Sequence, residues 1–113
     1  MIEKFKVLFL EEAANFLDTL DEKTRDKIIY NITKARFTND KELFCKLIGE
    51  IWEFRTLYNK LNFRLFAFWD KTENTNTVVI STHGIVKKTN KIPQNEIVKA
   101  EKIRLLYFDQ KKL

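Results

Sequence analysis

Residues 51–82 read IWEFRTLYNKLNFRLFAFWDKTENTNTVVIST, and this stretch decides the fold. Ile51-Trp52-Glu53-Phe54-Arg55 alternates apolar with charged side chains, Phe63 to Trp69 is dense in aromatic rings, and Thr77 to Thr82 is β-branched almost throughout. Such residues suit the pleated, half-buried surface of a strand. The polar run Asp70-Lys71-Thr72-Glu73-Asn74-Thr75-Asn76 falls where a hairpin turn belongs. Three strands in close succession predict an antiparallel meander.

Toward the N-terminus, Leu43 to Ile48 is a short apolar segment that periodicity leaves unassigned, and Thr38-Asn39-Asp40 breaks the pattern before it. Ile28, Ile32 and Ala35 recur at helical spacing, with Asp21 as the expected N-cap and an end near Phe37. A preceding helix opens with Glu11 and Glu12, where the helix dipole favours anions, and carries Leu10, Ala13, Leu17 and Leu20 on one stripe. Residues 3–9 alternate as a strand. Toward the C-terminus, Pro93 marks the start of a last helix with a stripe of Ile97, Ala100, Ile103 and either Leu106 or Tyr107. The predicted order is β-α-α-β-β-β-α through a single domain, residues 1–113, with no repeat and no linker. That is an α+β arrangement, with helices packed on one face of a small, antiparallel-rich sheet.

Composition narrows the chemistry. The 113 residues are 44% hydrophobic and 33% charged, which suits a folded domain with a core and excludes disorder or a multi-domain enzyme. One Cys and one His supply neither an internal disulfide nor a tetrahedral Cys/His zinc site. Two glycines cannot write a Walker A loop or a GxGxxG fingerprint. No apolar stretch approaches the roughly 18 residues of a membrane span, and Met1 to Lys6 lacks a signal-peptide core. A reducing cytoplasm, no membrane, no metal and no cofactor are therefore expected, with Cys45 read as a small hydrophobe. The formal net charge is +5, yet residues 1–82 hold 13 basic and 13 acidic side chains, whereas residues 83–113 hold 8 and 3. Such asymmetry fits either a polyanionic partner, most often nucleic acid, or a solvated helix surface.

Several charged residues fall inside strands. By alternation, Arg64 shares a side with Phe66 and Phe68, Glu53 and Arg55 alternate with Trp52 and Phe54, and His83 shares a side with Val79 and Ser81. One reading makes them the water-facing side of the sheet, with a Glu53–Arg64 ion pair worth less than about 1 kcal/mol. The other makes them a reaction site on an open, concave sheet face. A titratable His beside fixed Arg and Lys charges is what acid–base chemistry on a phosphodiester requires.

The stretch His83-Gly84-Ile85-Val86-Lys87-Lys88-Thr89-Asn90-Lys91-Ile92-Pro93 bears on that choice. Together with Ile51 to Arg55, Arg64-Leu65-Phe66 and Glu96-Ile97-Val98-Lys99-Ala100, it resembles the RelE/ParE toxin superfamily, and within it the phage-derived, HigB-like branch. Members of that branch read W-E-L/F-R, then R with two apolar residues, then H-G-F-x-K-K-T-x-K-x-P; here Ile85 replaces the Phe. The resemblance implies a RelE-like fold and the toxin of a type II toxin-antitoxin system. It further implies a ribosome-dependent, metal-independent mRNA endoribonuclease that inhibits translation. In that chemistry a 2′-hydroxyl attacks the adjacent phosphate and the 5′-oxygen leaves. Arg64 is then the phosphate clamp, because a guanidinium offers a planar fork of donors at any working pH. His83 is the acid or base, Glu53 shares that work or orients Arg55 or Arg64, and Lys87 adds charge stabilisation. Arg55, Lys88 and Lys91 hold messenger or ribosomal RNA. The implied partners are mRNA on the ribosome and an antitoxin, in this branch usually of helix-turn-helix type. Two alternatives remain: a ParE-like inhibitor of DNA gyrase, and a non-catalytic RNA-binding domain that stacks bases on the Phe63 to Trp69 rings. A structural role for His83, bonding Ser81 or a backbone carbonyl, also stays open.

Overall fold

The computed structural model describes residues 2–73, 77–88 and 91–112. Its strands are β1 (Lys6–Phe9), β2 (Phe44–Ile48), β3 (Ile51–Tyr58), β4 (Leu61–Asp70) and β5 (Val78–Lys87), and its helices are α1 (Glu11–Asp18), α2 (Glu22–Phe37) and α3 (Gln94–Lys111). The expected meander is present as β3-β4-β5, antiparallel throughout, in a sheet of order β1-β5-β4-β3-β2. The unassigned Leu43 to Ile48 segment supplies β2, so the order gains one strand over the seven expected elements. β1 begins at Lys6 rather than residue 3 and pairs parallel with β5. The expected turn after Asp70 includes residues 74–76, which lie outside the described residues.

The tight connections have a local cause. Asn59 and Lys60 link β3 to β4 with φ of 55° and 65°, the positive pair that a type I′ turn needs to match the twist of its strands. Asp21 caps α2 as expected, its carboxylate accepting from the Thr24 backbone N–H at 3.1 Å and the Thr24 hydroxyl at 2.6 Å.

One expectation about layers is corrected. The helices do not share a face: α1 and α2 cover one side of the sheet and α3 the other. β4 explains this, since Phe63, Leu65 and Ala67 are buried toward the hairpin while Phe66 and Phe68 are buried on the reverse side. A central strand apolar on both faces needs cover on both. The buried stripe of α2 is Ile28, Ile32 and Ala35, as read from the sequence. In α3 the stripe continues through Tyr107, whose ring packs on Phe68, and not Leu106, which is 57% exposed.

A second correction concerns phase. Val79 lies opposite Trp69 and Ser81 opposite Ala67, but His83 lies opposite Phe66, so Thr82 is one extra residue in β5. Such a bulge reverses the alternation beyond it. His83 therefore faces α3, away from the side that carries Val79 and Ser81. The bulge is tied down by the Ser81 and Thr82 hydroxyls, which donate to the Phe66 carbonyl at 3.2 and 3.3 Å.

Candidate active site

The α3 side of the sheet gathers most of the charged residues expected in the site. Register places Glu53 beside Phe66, Arg55 beside Arg64, Arg64 beside Ile85 and Asn62 beside Lys87, all on this face. Glu53 and Arg64 are each 4% exposed, which overturns a water-facing pair. Glu53 Oε1 lies 3.2 Å from Arg64 Nε, and Glu53 Oε2 lies 3.7 Å from Arg55 Nε. The Arg64 contact is ionic without being an aligned hydrogen bond, and Oε1 and Nε are both enclosed without one. Arg64 Nη1 donates to the Phe63 carbonyl at 3.3 Å.

Electrostatically this is one carboxylate among three cations. Burial pulls the Arg64 guanidinium below its ordinary pKa while Glu53 pulls it back. Lys87 is lowered by burial first and by the charge of Arg64 next, with Glu53 opposing. Arg55, Arg64 and Asn62 open onto a cleft of about 370 Å³ whose far rim includes Glu42. Cations that outnumber their counter-ion at a cleft favour an anion.

His83 is not part of this contact group. Its ring stacks on Phe66 at 4.9 Å and is 3% exposed beneath α3. Nδ1 is 3.0 Å from the Thr82 hydroxyl, and Nε2 faces Glu96 Oε1 at 3.5 Å. Burial lowers its pKa first and Lys99 adds to the effect, while Glu96 and Glu12 oppose them. Lys99 itself pairs with Glu12 at 2.9 Å, which ties α3 to α1. The expected partner Ser81 instead bonds the Phe66 carbonyl. Lys88 and Lys91 are exposed, while Thr89 and Asn90 between them lie outside the described residues.

Two neighbours of Glu53 and His83 were not among the expected site residues. Glu96 precedes the buried Ala100 by one helical turn, a spacing that marks it as facing the sheet. Cys45 lies opposite Glu53, with Sγ 3.7 Å from Oε2, which is legible only once β2 is known to be a strand. Among the described residues no group of three or more His, Cys, Asp or Glu is arranged to hold a metal ion. No described helix is long and apolar enough to cross a membrane.

Residues 15–105 match the family model described as Phage derived protein Gp49-like (DUF891). The chain belongs to this family. The Gp49-like proteins fall in the RelE/HigB-like toxin group, are associated with toxin-antitoxin systems, and so imply an antitoxin partner. The mixed five-stranded sheet with α3 packed on it is compatible with a RelE-like fold. A search of the curated proteins gives no match to the chain.

Proposed function

We propose that the protein is the toxin of a type II pair and acts as a ribosome-dependent, metal-independent mRNA endoribonuclease of the HigB-like branch. The observation that carries this reading is the buried Glu53–Arg64 contact on a sheet face that also holds Arg55 and Lys87. Three cations around one carboxylate match the needs of phosphodiester cleavage, where negative charge grows on the phosphorane oxygens.

In this mechanism Arg64 and Arg55 take the non-bridging phosphate oxygens. The 2′-hydroxyl forms a bond to phosphorus and gives its proton to the Glu53 carboxylate, which sits between Arg55 and Arg64. The bond from phosphorus to the 5′-oxygen breaks, and that oxygen takes a proton from Lys87, whose lowered pKa suits a donor. The products are a 2′,3′-cyclic phosphate and a free 5′-hydroxyl. His83, enclosed beneath α3, braces the first turn of that helix through Glu96 rather than transferring the proton. Lys88 and Lys91 add affinity for the ribosome, and a helix-turn-helix antitoxin holds the toxin inactive.

Inducing the protein in cells and mapping RNA and DNA ends tests the reading. Cuts in translated messages that disappear in Lys87→Ala are expected. DNA breaks with intact messages would transfer the protein to the gyrase-directed class. Neither kind of break would leave a non-catalytic RNA-binding domain.

A further inference from the structure

Round the sheet from Arg64, the chain's two tryptophans share the wall of a second cleft, of about 500 Å³. Trp52 on β3 and Trp69 on β4 meet edge to face at 5.6 Å, and Phe44 stacks behind Trp52 at 4.9 Å. Lys46, Lys71 and Arg104 stand around the rings, with Glu50 on the rim. The Lys71 ammonium lies over the Trp69 ring at 5.2 Å, a cation–π contact that sets its charge at the wall of the cleft. Arg104 is held by Glu101, whereas Lys46 and Lys71 are exposed and carry no ion pair among the described residues.

We infer that this cleft binds an unpaired nucleotide of single-stranded RNA, its base against the indoles and its phosphate on Lys46 and Lys71. Flat rings beside paired cations are the recurrent means of holding single strands, because every base has a face to stack and every linkage a charge to neutralise. A cleft of this size takes one nucleotide, within the usual range for small-ligand sites. Trp69 lies five residues beyond Arg64 on β4, roughly 16 Å along the strand, and its parity turns it to the opposite face; an RNA reaching both clefts passes round the β2 edge, where Leu43 borders the first and Lys46 the second. The inference rests on the ribonuclease reading for its choice of RNA, and it adds a site that grips a flanking nucleotide away from the reacting phosphate.

Both tryptophans line the cleft, so their fluorescence reports it directly. The full-length protein is titrated with an uncleavable 2′-O-methyl RNA hexamer. Saturable quenching is expected, weakened about tenfold in Lys46→Glu/Lys71→Glu and kept within about twofold in Lys23→Glu, at an exposed lysine of α2 away from both clefts. Both lysines are exposed, and a far-ultraviolet spectrum confirms that the double variant folds. Absence of saturable quenching, quenching indifferent to the charge reversal, or equal quenching by a polyglutamate peptide would overturn the inference. Message cleavage without quenching sinks the nucleotide site alone. Quenching without message cleavage keeps the nucleotide site and removes the ribonuclease.

Discussion

His83 stacks on Phe66 because Thr82 is an extra residue in β5, which sets the two rings opposite each other, 4.9 Å apart and 27° from parallel. With unbroken alternation from Val79, His83 would oppose Leu65 and point toward the α1–α2 hairpin. The bulge instead delivers the imidazole to the face that α3 covers.

Enclosure of that ring predicts a pH dependence. Burial and Lys99 lower the His83 pKa in the folded protein, against Glu96 and Glu12, so on acidification the unfolded chain takes up the proton first. Its contribution to stability is complete above about 6.5, the ordinary histidine value, and is lost as pH falls toward the folded value. Urea midpoints should fall between pH 7 and pH 5, and His83→Gln should flatten that segment. Parallel curves for the two proteins would refute the assignment.

Arg64 and Glu53 separate charge from geometry. Removing either partner leaves the other as an uncompensated buried charge, so Glu53→Ala should cost about 3 to 5 kcal/mol in urea unfolding. Arg64→Lys keeps the charge but loses the fork of donors. It should fold with a near-normal midpoint and cleave message at least about tenfold more slowly, a loss of about 1.4 kcal/mol of transition-state stabilisation. Full activity in this variant would remove Arg64 from the phosphate site.

Gly84 faces the hairpin, where a Cβ would lie 2.3 Å from the Phe16 ring. The Gly in the His-Gly pair is thus explained by close approach of α1 to β5. Gly84→Ala should destabilise by about 1 to 3 kcal/mol through overpacking. Phe16→Leu in the same chain should recover part of that loss, which a double-mutant cycle measures.

Asp70 fastens the far end of α3. Its buried carboxylate accepts from Lys111 at 2.6 Å, from the Thr72 hydroxyl at 2.7 Å and backbone N–H at 3.0 Å, and from the Tyr107 hydroxyl. Burial pushes the carboxyl upward, but the donors, Lys111 foremost, outweigh it and hold it well below the usual carboxylate range. A depressed folded pKa gives stability that is present above the unfolded value, about 3.9, and lost as pH falls below it. Asp70→Asn should cost about 1 to 3 kcal/mol at neutral pH and shift acid unfolding to a lower slope. Thermal melts at pH 7 and pH 3 check both.

Much of this was legible in local pattern. Alternation in residues 51–55 and 63–69 named the strands, Asp21 named its helix start, and the shared side of Glu53 and Arg55, like that of Arg64 and Phe66, followed from the two-residue repeat. These signals survive because each rests on neighbours within one element. β2 escaped because five residues are too few for a period to declare itself, and with it the pairing that sets Cys45 opposite Glu53. Glu96 and the Trp52–Trp69 cleft belong to contacts between elements far apart in sequence.

The sequence by itself determined the meander, the hairpin of helices and the concentration of positive charge after His83, since periodicity and composition are properties of the chain. Only the tertiary structure decided which face each late residue meets. One bulged residue at Thr82 reverses the parity of everything after it, and a β4 strand apolar on both sides draws α3 to the opposite face from α1 and α2. Together they enclose His83 and leave Arg55, Arg64 and Lys87 around Glu53. Register is set by packing on both faces of a strand at once, which no single-strand pattern contains.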